Sequence, residues 1–581
     1  MTIQEVDPKI IAKANVWLEG NYDEETKAAV KKMMDSNPAE LVECFYRDLE
    51  FGTGGLRGIM GVGTNRMNRY TVGAATQGLA NYLKSALASE TEIRAAIAFD
   101  SRNNSDLFAR ISAEILAANG VKVYLFDSLR PTPELSFTVR HLKCHTGIVI
   151  TASHNPKEYS GYKVYWNDGG QLVPPHDVNV INEVKKIASV DDIRFSGNPE
   201  NIVIIGEDID KAYLDTLVQL SLSPDVIKRQ HDMKIVYTPI HGTGYRLVPE
   251  ALKAYGFTEV HIVKEQQKPD GNFPTVVSPN PEEKAAMDLA LKLAKKVNAE
   301  IILATDPDAD RVGIGVKDND DNYILLNGNQ AATLLTYYLI RQWKVKGKLT
   351  GKEFIAKTIV TSELLKDIAS SHNVESYDVL TGFKYIAEII RNNEGKKKFI
   401  GGGEESYGYL VGDFVRDKDA VSACAMLAEV AAWSKNMGMS LYEMLINIYQ
   451  EYGFYLEDLV SITKKGKSGA EEIKAMMDGY RSNPPREING VPVEKVKDYL
   501  LQKETDLNTG GQKPIDLPKS DVLQFFLKGG SKITVRPSGT EPKIKFYFGV
   551  KGLLPDKSEF NNLHAKMKAQ LQEMISAMKL N

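Results

Sequence analysis

The chain has 581 residues, more than one hydrophobic core organises, so about three to five domains are expected, with clefts between them. A hydrophobic share of 43% beside 25% charged residues fits neither a disordered chain nor a membrane protein, and a net charge of −4 offers no basic excess for nucleic acid. Cys44, Cys144 and Cys424 are widely spaced and lack CxxC pairing, which excludes a disulfide framework and a zinc knuckle and points to a reducing compartment. The N-terminus has no basic patch followed by an apolar stretch, and no segment offers about 18 uninterrupted apolar residues, so a cytoplasmic protein without a membrane partner is expected.

Short apolar runs alternate with amphipathic stretches, the pattern of βαβ units with largely parallel sheets. Runs at 95–99, 121–126 and 147–150 read as buried strands of a first domain. A second series has strands at 234–237, 260–263 and 301–304 with a helix near 246–254, and a third runs from 353–360 to 398–400. After Gly453 the pattern is less regular, with Pro484-Pro485, a polar stretch at 508–518 and an alternating strand at 533–535, which reads as a smaller α+β domain. The expected boundaries are 1–222, 223–325, 326–453 and 454–581. No strong residue-level repeat relates the three α/β units, but each has a strand that ends in a polar loop, carrying Ser153, Asp306 or Glu404. Carboxyl ends of strands are the usual ligand edge of open α/β sheets.

The run at 147–150 enters Thr151-Ala152-Ser153-His154-Asn155-Pro156, where Asn-Pro favours a turn that leaves Ser153 at the strand end. A serine hydroxyl is a weak nucleophile unless a base or metal activates it, so a turn-capping Ser-His pair is the plain alternative. Asp306-Pro307-Asp308-Ala309-Asp310-Arg311 sets three carboxylates at alternate positions after an apolar strand. This suits a hard divalent cation that keeps sites for water and a phosphate oxygen. An EF-hand is excluded, because Arg311 stands where glycine is needed and Lys317 where a bidentate glutamate is needed. Phe51-Gly52-Thr53-Gly54-Gly55-Leu56-Arg57-Gly58 could bring backbone N–H groups and a guanidinium to an anion, although no clear strand precedes it. Gly466-Lys467-Ser468 resembles the end of a Walker A loop and is rejected, since Ser461 holds the glycine position and no strand is seen to lead in.

Gly403-Glu404-Glu405-Ser406 could grip sugar hydroxyls or be a plain turn. Arg416-Asp417-Lys418-Asp419 reads, on composition, as a surface ion-pair cluster, with proton handling by Lys418 as the alternative. Arg536-Pro537-Ser538-Gly539-Thr540 joins two alternating strands and reads as a phosphate cradle or a hairpin turn.

Taken in order, Thr-Ala-Ser-His-Asn-Pro at 151–156, Asp-Pro-Asp-Ala-Asp-Arg at 306–311, Gly-Glu-Glu-Ser at 403–406 and Arg-Pro-Ser-Gly-Thr at 536–540 resemble the α-D-phosphohexomutase superfamily. The stretch 237–244 and the length are similar to its phosphoglucomutase and phosphopentomutase branch. The resemblance implies four domains, three related α/β units with mixed, largely parallel sheets and a smaller C-terminal α+β domain, each giving one loop to a central cleft. It implies a phosphorylated Ser153 and one Mg²⁺ held by Asp306, Asp308, Asp310 and a phosphoserine oxygen. Arg57, His154, Lys163 and Arg311 would surround the transferring group, with Lys418 as general acid or base. Glu404 and Ser406 would hold sugar hydroxyls, Lys384 would add a cationic contact, and Arg536, Ser538, Gly539 and Thr540 would hold the phosphate that is not reacting. The implied reaction interconverts glucose 1-phosphate and glucose 6-phosphate through a hexose 1,6-bisphosphate. Mannose and pentose phosphates are alternative substrates within that class, and a metal-dependent phosphatase or a non-catalytic phosphosugar-binding protein stand outside it. The expected partner is a small phosphosugar, and oligomeric state is left open.

Overall fold

The computed structural model describes residues 2–52, 55–464, 466–537 and 543–580. Three helices, Pro8–Glu19, Glu24–Ser36 and Pro38–Phe45, open the chain, each started by a side-chain cap from Asp7, Asp23 or Asn37 that satisfies a free backbone N–H. The six-stranded first sheet runs Leu56–Ile59, Tyr159–Trp166, Thr146–Ile150, Arg94–Phe99, Lys122–Phe126, Ile202–Ile205. Its middle is parallel, with Arg94–Phe99 between Lys122–Phe126 and Thr146–Ile150. Helices cover both faces, which is why these strands read as continuous apolar runs.

Two antiparallel neighbours place functional groups that periodicity alone does not reveal. Tyr159–Trp166 pairs Lys163 with Val149, near the carboxyl end of the serine strand. Leu56–Ile59 pairs Arg57 with Gly161 on that same strand. Gly55 thus leads into a strand that apolar periodicity does not reveal. Gly55 is required at the entry: at φ +111° a Cβ there would lie 1.7 Å from the Tyr162 carbonyl oxygen.

The second sheet runs Tyr323–Leu326, Val312–Lys317, Ile301–Thr305, Ile235–Thr238, Val260–Ile262. Ile301–Thr305 lies parallel to Ile235–Thr238 but antiparallel to Val312–Lys317, so the aspartate motif is the turn of a hairpin. The third sheet runs Glu375–Val379, Glu353–Thr358, Lys398–Gly403, Tyr409–Val411, and its last pair is likewise a hairpin, with Gly403 opposite Tyr409. These sheets are mixed, as expected.

The C-terminal sheet is antiparallel throughout its path, Phe454–Thr463, Lys543–Gly552, Lys532–Pro537, Leu523–Leu527, Val491–Asp498, Lys503–Asp506, Gln512–Pro514. Helices Gly466–Ser482 and Phe560–Ala577 complete this α+β unit. One expectation is corrected: the strand Phe454–Thr463 does lead to the helix that begins at Gly466, so rejection of a nucleotide loop stands on Ser461 alone.

The units share a continuous core. Helix Ala420–Asn436 is buried nearly all round and packs against helix Gly244–Tyr255 and strand Tyr409–Val411. Within it Glu429, fully buried, accepts from Ser221 Oγ at 2.6 Å, Leu222 N at 2.7 Å, Ser223 N at 2.9 Å and Tyr338 OH at 2.6 Å, fixing the connection between the first two sheets to the third. Among the described residues, no helix is long and apolar enough to cross a membrane.

Candidate active site

Three loops, carrying Ser153, Asp306 and Glu404, meet where the first three sheets present their polar ends, with the segment 416–419 beside them. In the serine turn, Ser153 has φ +51° and is 3% exposed, and its N–H donates to Thr151 Oγ1 at 2.8 Å. Its hydroxyl donates to Asp306 Oδ2 at 2.7 Å and lies 3.2 Å from His154 Nδ1. Burial, with Arg311 and Arg57 nearby, holds the His154 pKa well below the usual imidazole value, so the ring is neutral. Arg57 donates to Asn155 Oδ1 at 3.4 Å, on the exposed side of the same turn.

The aspartate turn is wholly buried: Asp306 and Asp308 are 0% and Asp310 2% exposed. Asp306 Oδ1 accepts from the backbone of Asp310 at 3.1 Å and Arg311 at 3.0 Å, which holds the turn closed. Burial and the like charges of Asp308 and Asp310 push the Asp306 carboxyl well above its ordinary range. For Asp308 burial acts the same way, but the Lys163 ammonium at 2.8 Å outweighs it and holds the carboxyl low. One oxygen from each aspartate lies within 4.8 Å of the others, and Asp308 Oδ1 and Asp310 Oδ1 are buried without a hydrogen-bond partner. Hard, unpartnered oxygens on a rigid turn fit a divalent cation.

Lys163 also reaches Asp310 Oδ2 at 3.5 Å, and Lys418 reaches the same oxygen at 3.1 Å. Burial disfavours the Lys418 ammonium, but Asp310 and Asp417 more than offset it and raise its pKa. The segment 416–419, expected at the surface, is buried, no residue of it exceeding 8% exposure. Its partners explain this: Asp417 accepts from Tyr165 at 2.6 Å and Gln171 at 2.8 Å, and Asp419 accepts from Tyr213 at 2.7 Å while capping helix Ala420–Asn436. Arg311 pairs with Glu282 at 2.5 Å.

In the third loop, Glu404 Oε1 accepts from Gly382 N at 3.0 Å, and Glu404 N donates to Gly408 O at 2.8 Å, closing the hairpin. Ser406 is half-buried beside it. Lys384 opens helix Phe383–Asn393, its ammonium 5.2 Å from the Tyr385 ring; Lys418 sits 5.6 Å from the ring of its neighbour Phe383. Arg536, near the end of strand Lys532–Pro537, faces Tyr385 and Tyr547. Ser538, Gly539 and Thr540 lie outside the described residues.

The structure therefore gathers Ser153, His154, Arg57, Lys163, Asp306, Asp308, Asp310, Arg311 and Lys418 in one cluster, with Glu404 bordering it through its charge on Lys418 and Arg311. Lys384 and Arg536 stand at its periphery without a contact to the aspartates. Sequence reasoning missed Glu282, Asp417 as a tether for the lysine, and Thr132, which donates to Asp308 from its N–H at 2.9 Å and its hydroxyl at 3.0 Å. Thr132 opens helix Thr132–His141, which also carries the fully buried Glu134.

Burial and the neighbouring Asp210 raise the Glu134 pKa well above its ordinary value near 4.5. Above that value the unfolded chain releases this proton and the folded chain keeps it, so the group's contribution to stability falls as pH rises toward the folded pKa. Glu134→Gln is expected to melt above the wild type at pH 8, with the advantage shrinking toward pH 4.5; thermal scans at the two pH values check it.

A serine poised on an aspartate, a buried metal-ready carboxylate turn and converging cations at the ends of α/β sheets define a phosphoryl-transfer enzyme. Family models described as phosphoglucomutase/phosphomannomutase, alpha/beta/alpha domains I, II and III, match residues 48–191, 211–319 and 327–452. A phosphoglucomutase of Staphylococcus aureus (strain MRSA252) is 38% identical over 565 residues, 96% of this chain and 98% of the relative. That of Staphylococcus haemolyticus is 39% identical over 508 residues, 87% and 91% of the two chains. The chain belongs to the phosphoglucomutase/phosphomannomutase family of isomerases. The fold agrees with solved structures: pp63/parafusin from Paramecium, in its open form, superposes with TM-score 0.68 at 17% identity over 92% of this chain and 95% of the other. A phosphoglucomutase/phosphomannomutase family protein from Burkholderia thailandensis gives 0.63 at 16% identity over 91% and 97%. Superfamily membership and the four-unit architecture thus stand as the motifs implied.

Proposed function

We propose that this chain interconverts glucose 1-phosphate and glucose 6-phosphate in the cytoplasm through a phosphorylated Ser153. The observation that carries the reading is the Ser153 hydroxyl, 2.7 Å from Asp306 in a buried turn ringed by Lys163, Arg311 and Lys418. The glucose assignment draws on relatives named phosphoglucomutase over nearly the whole chain. The cytoplasmic one draws on three buried, free cysteines.

The phosphoryl group leaves Ser153 Oγ for the free hydroxyl of the bound sugar phosphate, whose proton passes in turn to the serine oxygen. The resulting hexose 1,6-bisphosphate turns over in the cleft and returns its other phosphoryl group to Ser153. Asp306, Asp308, Asp310 and an oxygen of the phosphoserine would hold Mg²⁺, which would supply positive charge to the transferring group when bound. Arg57, Lys163 and Arg311 supply the remaining positive charge to its equatorial oxygens. Neutral His154 contributes a hydrogen bond rather than charge. Lys418, held on Asp310, acts as the general acid or base for the sugar hydroxyl, taking its proton in one transfer and returning it in the other. Glu404 and Ser406 orient the sugar hydroxyls, and Lys384, Arg536, Ser538, Gly539 and Thr540 hold the phosphate that is not reacting. Two grips are needed because the bisphosphate must bind in both orientations.

Kinetics on glucose 1-phosphate, mannose 1-phosphate and ribose 1-phosphate, each started with a trace of the matching bisphosphate, test the reading. The glucose substrate is expected to have the highest kcat/KM. Release of inorganic phosphate without an acceptor sugar, or binding without turnover, would replace it.

Lys418 depends on a glycine packed against its stem in the same unit. A Cβ at Gly408 would lie 2.0 Å from Lys418 Cδ, so Gly408→Ala is expected to drive the lysine off Asp310. Displacement of an ångström at a reacting centre costs about 100-fold. Steady-state kinetics should show kcat falling by roughly that factor, with a lower melting temperature because Asp310 and Asp417 lose a buried partner.

A further inference from the structure

Arg102 carries a role that neither the motifs nor the reaction assigns. It follows the central strand Arg94–Phe99, whose last residue pairs with Ile150 of the serine strand. The side chain is fully buried. Its Nη2 donates to the carbonyl oxygen of Ser153 at 2.5 Å and to that of Asn155, while Nη1 donates to the carbonyls of Pro156 at 2.8 Å and Tyr159 at 3.1 Å. Nε faces Asp100 Oδ2 at 3.3 Å, and Asp100 is itself held by Ser105 Oγ at 2.7 Å. A guanidinium has five N–H bonds in a rigid fork; here the four on Nη1 and Nη2 each meet a backbone carbonyl, and the fifth, on Nε, is buried beside Asp100 without a hydrogen bond. The fork is thus spent on the turn rather than turned toward a substrate phosphate, which separates Arg102 from Arg57 and Arg311.

The turn so held is one that resists its own shape. Ser153 occupies the left-handed region at φ +51°, a conformation that non-glycine residues keep only when surroundings impose it. Arg102 imposes it from beneath, on four carbonyls of one loop. The far side of the guanidinium is closed by Phe273, whose ring centre lies 5.2 Å away and which is 1% exposed. Phe273 comes from the segment of the second unit that also touches Asn103, where Asn272 Oδ1 accepts from Asn103 Nδ2 at 3.1 Å.

We propose that Arg102 is a positioning residue that fixes the backbone of the Ser153 turn so that the hydroxyl stays on Asp306, and that Phe273 makes this fixation depend on docking of the first and second units. The inference rests on the phosphoserine reading above. Full-length Arg102→Ala and Arg102→Lys are compared with wild type in four measurements: kcat, KM for glucose 1-phosphate, phosphate gained by Ser153 from glucose 1,6-bisphosphate by intact mass, and melting temperature. Arg102→Ala is expected to lose about 100-fold in kcat and in the rate of Ser153 phosphorylation, with KM within about twofold. Millimolar guanidinium is expected to restore part of both rates. Arg102→Lys, which keeps the charge but not the fork, is expected to fall between, and it decides the matter if the alanine variant does not fold. Wild-type kcat in the folded lysine variant would overturn the proposal. So would a kcat loss matched by an equal rise in KM with no response to guanidinium. A wild-type protein that takes no phosphate on Ser153 would instead remove the phosphoserine reading, and this inference with it.

Discussion

Ser153→Ala is expected to lower kcat for glucose 1-phosphate by about 10⁴-fold or more, the scale seen when a covalent nucleophile is removed. The substitution deletes one oxygen, which donates to Asp306 and lies near His154, and leaves the turn otherwise held by Thr151 and Arg102. Folding should therefore be unaffected, and the loss falls on chemistry. Without Oγ no phosphoserine forms, so the sugar hydroxyl has no phosphoryl donor and the second phosphoryl group has no acceptor. A coupled assay for glucose 6-phosphate gives the rate, and intact mass after exposure to glucose 1,6-bisphosphate should show no added phosphate. Activity within tenfold of wild type would end the phosphoserine mechanism.

The second large effect concerns the aspartate turn. Asp308→Asn keeps the shape but removes a charge that Lys163 meets at 2.8 Å and Thr132 at 3.0 Å, leaving Lys163 with Asp310 at 3.5 Å. It also leaves two carboxylates of three in a site whose Asp308 Oδ1 is buried and unpartnered. A drop of about 10³-fold in kcat is expected, the scale on which one electrostatic element of a phosphoryl-transfer site contributes. In parallel, wild-type activity should vanish after exhaustive chelation and return with added Mg²⁺, and the variant should need far more Mg²⁺ for half-recovery. Wild-type protein that keeps its rate after chelation would exclude a metal at this turn.

What the sequence disclosed, and what it concealed, follows from how local each feature is. Strands such as Ile301–Thr305 and Thr146–Ile150 are buried on both faces, so their apolar runs announce them. Leu56–Ile59 has only four residues, two of them Arg57 and Gly58, and exists because Tyr159–Trp166, distant in sequence, offers it an edge. The cluster 416–419 looked like a surface because its residues are charged; what buries it are Tyr165, Gln171 and Tyr213, whose proximity no local window contains. Arg102 and Thr132 could have been found. Arg102 closely follows a strand of the first sheet, the edge already recognised as the place for ligands, and Thr132 lies in the next such crossing. Glu282 gave no such signal: it follows Asn280-Pro281 in a segment without regular structure and matters only because Arg311 lies against it.

The convergence of distant segments on the aspartate turn has a consequence for synthesis. A nascent chain that has just emerged through Val312–Lys317 already has Ser153, Lys163 and all three aspartates. It still lacks Lys418, which meets Asp310 at 3.1 Å, and helix Ala420–Asn436, against which helix Gly244–Tyr255 packs. Until those later segments leave the ribosome, the three crowded carboxylates have Lys163, Arg57 and Arg311 to balance them but not Lys418. A fragment ending near residue 320 should accordingly be more sensitive to divalent cations in its folding than the finished chain, and it cannot transfer phosphate before its last two units arrive.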